Sequence, residues 1–491
     1  MAGPESQKTL PPTAQAAPTS VPAAPAVPIS SAAGSEPPSV GPEKPSGPSA
    51  VKSGEREQAP KGTPGFRDIP MCVIPEQKPT LVDNPKPKSP VVDVTASEPP
   101  AELSGEPDAV ATWWKDLPSD ERDKIVKERP EWVGNIDGIA ATDRDRANRS
   151  QIPIERARLE RERDQLQRNL DDNWFGGTFT NDDAKKWYVE EKLKDLDTVE
   201  STLAKGTPDA PRLLLLLDMR SGERGHAAVA VGNPDTADHV AVTTPGLGTT
   251  ISGALDGGRP SDGMVGEAQQ LRAETSRQLD LAGRPDETVS TIAWLGYDAP
   301  NMTGPGKLDT VRGGGDVAST GKANEAAPRL ANFFNGLDAA SVKKDPHIVA
   351  YGHSYGSLVT AEALRKTRGS VDEAVFYGSP GLGGDPNDLP RYEAKHFNLT
   401  SDRMYLLENG EDLVADFGHF GPDPSVAGGF TRLSTHPGVD RTNVPRIGGT
   451  GHSDYLRVGY GPDGQTPEMR MAGYNMAAVL GSLPDNLIEG D

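Results

Sequence analysis

Cysteine is nearly absent: the 491-residue chain carries one, Cys72. An intrachain disulfide is therefore impossible, and a lone thiol in a proline-rich stretch reads as inert rather than catalytic. Long apolar runs are also missing. Nothing approaches the roughly 18 apolar residues of a spanning helix, so no transmembrane segment is expected. The start, Met-Ala-Gly-Pro-Glu, has no basic region and no apolar core. No classical export signal is expected, which leaves a cytoplasmic location or export by another route. Basic charge is scarce too, with 51 Lys and Arg against 72 Asp and Glu and a formal charge of -21. That balance opposes nucleic acid or an anionic membrane surface as principal partner and favours neutral or cationic small molecules. The basic run from Arg156 to Arg168 is interleaved with Glu155, Glu160, Glu162 and Asp164, the pattern of a solvated helix face.

Aromatic residues are almost missing from the first part of the chain. Residues 1–110 hold 23 of the 46 prolines and a single aromatic, Phe66. Such a stretch buries too little apolar surface to offset its ordering entropy, so a disordered Pro/Ala-rich arm is expected. It is a candidate tether, envelope spacer or contact for a protein partner. Residues 111–204 read as a helical segment that packs on the rest of the chain, with helices from Ala111 to Glu128, Ile139 to Leu170 and Asn181 to Leu203. Five of the six tryptophans, Trp113, Trp114, Trp132, Trp174 and Trp187, fall here. Packing anchors are the expected role, and a lid or acyl-chain surface is the alternative.

From residue 205 to 491 strands and helices alternate. Leu213 to Leu217 and Gly225 to Val231 read as a hairpin, followed by strands His239 to Thr243, Thr288 to Leu295, Pro346 to Tyr351, Glu373 to Tyr377 and Arg403 to Leu407. Helices are expected around Gly266 to Leu281, Ala326 to Leu337, Tyr355 to Lys366 and Glu468 to Leu480. This order predicts an α/β domain with a mostly parallel sheet covered on both faces, and crossover handedness gathers the loops after the parallel strands at one edge. Asn301 to Asn324 reads as a long loop at that edge, lining the entrance to any site there.

Ser354 stands where the strand before it meets Gly352-His-Ser-Tyr-Gly356 and passes at once into a helix. A strained strand–turn–helix of this kind presents a nucleophilic hydroxyl, and the helix N-terminus supplies backbone N–H groups, Tyr355 first, for a developing oxyanion. The bland reading is a glycine turn whose serine caps a helix. A serine nucleophile needs an imidazole to take its proton and a carboxylate to orient that imidazole. Asp412, just after the strand ending at Leu407, is the candidate acid, with Glu411, Asp416, Asp385 and Asp388 as rivals. His452, in a glycine-rich loop before the last helix, is the candidate base, with His396, His419 and His436 also downstream. His353 is expected to turn its side chain away. Leu247 or Gly248, in Thr244-Pro-Gly-Leu-Gly-Thr-Thr250, is the candidate second oxyanion donor. No histidine pair has helical metal-ligand spacing and this region has no cysteine, so no metal site is expected.

Several motifs together resemble an actinobacterial family of alpha/beta hydrolases classed as a domain of unknown function. They are Trp-Val-Gly-Asn-Ile-Asp-Gly-Ile at 132–139, Asp-Arg-Ala-Asn at 145–148, Thr-Pro-Gly-Leu-Gly-Thr at 244–249, Trp-Leu-Gly-Tyr-Asp-Ala-Pro at 294–300, Gly-His-Ser-Tyr-Gly-Ser at 352–357 and Gly-His-Ser-Asp-Tyr at 451–455. The resemblance implies the alpha/beta-hydrolase fold in a catalytic domain at 205–491, a Ser354, Asp412, His452 triad, and no metal or organic cofactor. It implies no substrate. A serine esterase or lipase acting on a small ester or lipid-like molecule through an acyl-enzyme is the first expectation. An acyltransferase or peptidase using the same triad is the second, and a non-catalytic envelope or scaffold protein the third.

Overall fold

A run of five leucines opens the sheet, and its lack of alternation follows from burial on both faces. In the computed structural model, which describes residues 105–172, 181–257, 261–300, 305, 320–384, 391–415, 420–460 and 466–490, this run forms β1 (Arg212–Asp218). Leu213, Leu215 and Leu216 join one apolar cluster and Leu214 and Leu217 another, because a bulge between Leu214 and Leu216 resets the alternation. Residues 1–104, Trp174 and most of 301–324 lie outside the described residues; against expectation, the last four residues of the Pro/Ala-rich arm, from Pro107, are helical, as are the last four of the expected loop, from Gly321.

Strand β2 (His226–Val231) returns antiparallel beside β1. β3 (His239–Thr244), β4 (Val289–Leu295), β5 (His347–His353), β6 (Glu373–Tyr377), β7 (Met404–Leu407) and β8 (Thr431–Arg432) complete an eight-stranded sheet in the order β1-β2-β4-β3-β5-β6-β7-β8. From β4 to β8 every pairing is parallel. The chain ends of these strands therefore share one edge, and the register Thr244↔Gly352 puts the loop after β3 directly beside the turn after β5.

Helices cover both faces, and the two-residue period of β5 shows how. Ile348 and Ala350 pack with α6 (Gly321–Ala340) and α7 (Tyr355–Leu364), while Val349 and Tyr351 pack with α5 (Gly263–Leu281) and α8 (Met471–Leu480). The fold is that of the alpha/beta hydrolases: a mostly parallel sheet, layered by helices, with a helical segment before it.

In that segment the sequence suggests one helix from Ala111 to Glu128, where the structure has two, α1 (Pro107–Asp116) and α2 (Ser119–Glu128). Pro118 forces the preceding Leu117 out of helical geometry, to ψ 140°, and the chain restarts at Ser119. α3 (Ala141–Asp171) and α4 (Asn181–Ala204) follow. The motif residues of this segment finish the sheet, because β1 is an edge strand whose outer N–H and C=O groups lack a neighbour. Asn135 gives Nδ2 to Leu217 O at 2.8 Å and takes Leu217 N–H at 2.9 Å. Asp145 accepts Leu214 N–H at 2.7 Å, and Asn148 donates to Leu214 O at 3.1 Å. Arg149 donates to Arg212 O at 2.6 Å, so four side chains stand in for a ninth strand. The tryptophans divide: Trp114 is buried and bonds Asp143 at 2.9 Å, whereas Trp187 lies under the Arg224 guanidinium at 4.6 Å.

Candidate active site

Ser354 sits on the strained turn the motif anticipates. Its φ of 54° and ψ of -131° lie outside the regions open to most L-residues. Two contacts hold the turn: Ser354 N–H donates to Tyr377 O at 3.0 Å, and Ser357 Oγ donates to Ser354 O at 2.6 Å. Close packing requires both motif glycines. A Cβ on Gly356 would drive into the carbonyls of Thr244 and Pro245, and one on Gly352 would meet Ser357 Cα at 2.6 Å. Ser354 is 4% exposed and opens on a cavity of about 1030 Å³ that His452 also lines.

Behind His452 stands Asp412. The turn after β7 places it 2% exposed, with His452 Nδ1 donating to its Oδ1 at 2.8 Å. Oδ2 accepts the Tyr455 hydroxyl at 2.6 Å, and Oδ1 also takes the backbone N–H groups of Val414 and Ala415 at 3.1 and 3.3 Å. Burial pushes this carboxyl up, but the hydrogen bonds from His452 and Tyr455 outweigh it and hold the group at about 2. An ionised Asp412 fixes the proton of His452 on Nδ1 and leaves Nε2 as the basic nitrogen. Tyr455 also accepts Asn409 N–H at 3.0 Å, tying the acid's loop to the base's loop. Its place three residues after His452, in the motif Gly-His-Ser-Asp-Tyr, is the only signal the sequence gives of this role.

Three of the rivals are described. Glu411 is exposed, with φ 63°, while His396 and His436 do not line the cavity. Asp416, Asp385, Asp388 and His419 lie outside the described residues. His353 departs from expectation: it does not turn away but lines the cavity, gives Nε2–H to His452 O at 2.8 Å and packs its ring 4.8 Å from the His452 ring. Burial, reinforced by His452, pulls its pKa down to about 4, so it is neutral at pH 7.

On the oxyanion side Gly246 comes nearest. A Cβ there would stand 2.5 Å from Ser354 Cβ and 2.9 Å from Oγ. Leu247 follows it along the cavity wall, 43% exposed. Gly248 is a correction to the sequence reading, since its N–H donates to Pro300 O at 2.8 Å and is not left for an oxyanion. Tyr355 begins α7 and lines the cavity. Apolar Met264, Phe420, Leu456 and Val458 share the wall with polar Glu267, Arg457 and Tyr460. Among the described residues no group of three His, Cys, Asp or Glu side chains is placed to hold a metal ion, and no helix is long and apolar enough to cross a membrane.

A sheet of this order with a serine on a strained turn after its central strand defines a hydrolase class, and comparison with known proteins agrees. The chain belongs to the alpha/beta hydrolase family, whose pattern it matches over residues 221–422. An uncharacterized protein of Mycobacterium tuberculosis is 36% identical over 260 residues, 52% of this chain and 87% of that one. A longer uncharacterized protein of the same species is 30% identical over 388 residues, 77% of this chain and 51% of its own length. Among solved structures, a dienelactone hydrolase from Anabaena variabilis aligns over 57% of this chain and 99% of that chain, with TM-score 0.31 and 13% identity. A cold-adapted esterase from an Arctic intertidal metagenomic library aligns over 58% and 97%, with TM-score 0.29 and 12% identity.

Proposed function

We propose that the protein is a serine hydrolase that cleaves a small carboxylic ester through an acyl-enzyme, with Ser354 as nucleophile, His452 as general base and Asp412 as the orienting acid. The observation that carries this reading is the 2.8 Å bond from His452 Nδ1 to a buried Asp412, with the imidazole lining the cavity onto which Ser354 opens. In the first half-reaction Ser354 Oγ bonds to the ester carbonyl carbon while its proton passes to His452 Nε2. The imidazolium formed is stabilised by ionised Asp412. The tetrahedral oxyanion is met by the backbone N–H groups of Tyr355 and Leu247, each worth about 3 kcal/mol to the transition state. Collapse breaks the carbon–oxygen bond, and the alcohol departs with the proton from His452. Water then repeats the sequence on the acyl-enzyme, releasing the acid and restoring Ser354. Replacing Ser354 by Ala tests the reading: p-nitrophenyl ester turnover is lost while the circular dichroism spectrum is kept. Retained turnover would end it.

A further inference from the structure

The cavity holding Ser354 and His452 is also lined by three carboxylates, Asp256, Asp262 and Glu267. Two of them have close partners. Asp256 accepts Lys205 Nζ at 2.6 Å, and Asp262 accepts the Tyr460 hydroxyl at 2.7 Å. Glu267, on the second turn of α5, differs: no hydrogen bond reaches its carboxylate among the described residues. Its ion-pair partner Arg457 stands at 3.7 Å, beyond hydrogen-bond reach, with a side chain 62% exposed. Burial pushes the Glu267 carboxyl up to about 7, with Arg457 opposing and Asp262 adding to the rise.

We propose that Glu267 is the specificity-determining residue of this cavity and selects esters whose acyl arm ends in a hydrogen-bond donor, a hydroxyl or an ammonium. The proposal rests on the ester-hydrolase reading and names its substrate class. A carboxylate stripped of part of its hydration and given no internal donor is satisfied when a bound molecule supplies one, and is left unpaired by an analogue lacking it. An aliphatic arm would cover the charge without a partner. A carboxylate arm would repel it.

The test compares p-nitrophenyl esters of hexanoic, ω-hydroxyhexanoic, ω-aminohexanoic and adipic acid. At pH 8, above the value of about 7 to which Glu267 is raised, the hydroxyl and ammonium esters exceed hexanoate in kcat/KM in the unsubstituted protein by about tenfold or more, the scale of one hydrogen bond to a charged group, and the adipate ester falls below hexanoate. Glu267→Leu brings the four together. Glu267→Gln keeps the hydroxyl preference and loses the ammonium preference, so the proposal stays testable if the Leu variant does not fold. Calorimetric binding of the same esters to Ser354→Ala reads the selection without turnover, which separates this proposal from the hydrolase reading. Equal binding of all four, or an order unchanged by both Glu267 variants, would overturn it.

Discussion

Tyr455 and Asp412 are joined by a 2.6 Å hydrogen bond in which the phenol donates to Oδ2, leaving Oδ1 for His452. The hydroxyl is buried and its other contact is Asn409 N–H. Tyr455→Phe removes both bonds without changing the ring's volume. The expected outcome is a stability loss of about 1.5–3 kcal/mol, read by urea denaturation, together with a fall in kcat larger than any rise in KM. An unchanged kcat would show that the phenol does not position the acid.

Gly246 makes a sharper test of the loop after β3. Ala at this position would press its methyl against Ser354 Cβ and Oγ. The expected result is a hundredfold or greater drop in turnover by the folded fraction, on the order of one lost oxyanion donor, with a stability loss of about 1–3 kcal/mol from overpacking. Gly248→Ala is the control. It costs stability, because φ there is 73°, but leaves the turnover of the folded fraction close to that of the unsubstituted protein.

Two carboxyls give the protein opposite pH responses. Asp412 is held at about 2, below its ordinary 3.8, so the stability it contributes is complete above that value and is lost as pH falls toward 2. Glu267 is raised from 4.5 to about 7, so the folded state favours its protonated form and stability declines as pH rises between those values. The slope from Glu267 is at most about 1.4 kcal/mol per pH unit. Urea denaturation of Glu267→Gln between pH 5 and pH 8, on the order of one pH unit per step, should flatten that decline relative to the unsubstituted protein.

Asn148 tests the edge of the sheet. It is buried and donates to both Gly134 O at 2.7 Å and Leu214 O at 3.1 Å. Asn148→Ala should destabilise by about 1–3 kcal/mol by leaving those carbonyls unmet, measured by thermal melting, with kcat of the folded fraction unchanged.

Much of this was legible from residues alone, for physical reasons that also mark the limits. β5 and α7 announce themselves because an apolar strand, two glycines and a helical pattern must coexist around Ser354, whereas the chemistry that a serine needs names only an acid and an imidazole and leaves Asp412 and His452 as candidates among several. Strand β8 escapes because Thr431 and Arg432 are exposed and only two residues long, too short for any period. The break at Pro118 is masked in the sequence because Trp114 and Ile125, either side of it, stand at a helical repeat, and in the structure both enter one apolar cluster. The sequence leaves Leu247 and Gly248 equal as donors, because flexibility can be read from a sequence whereas the partner of an N–H, here Pro300 O for Gly248, cannot. Glu267 carries no signal for the same reason: a glutamate on a surface helix has the same pattern whether its carboxylate meets solvent or a cavity wall.

The most direct measurement is mass-spectrometric mapping of a fluorophosphonate adduct on the intact protein. The account predicts a single modified serine, Ser354, formed rapidly in the unsubstituted protein and slowed at least a hundredfold by His452→Ala, on the order expected when a general base is removed. A folded protein that takes up no label, or takes it on another serine, would contradict it.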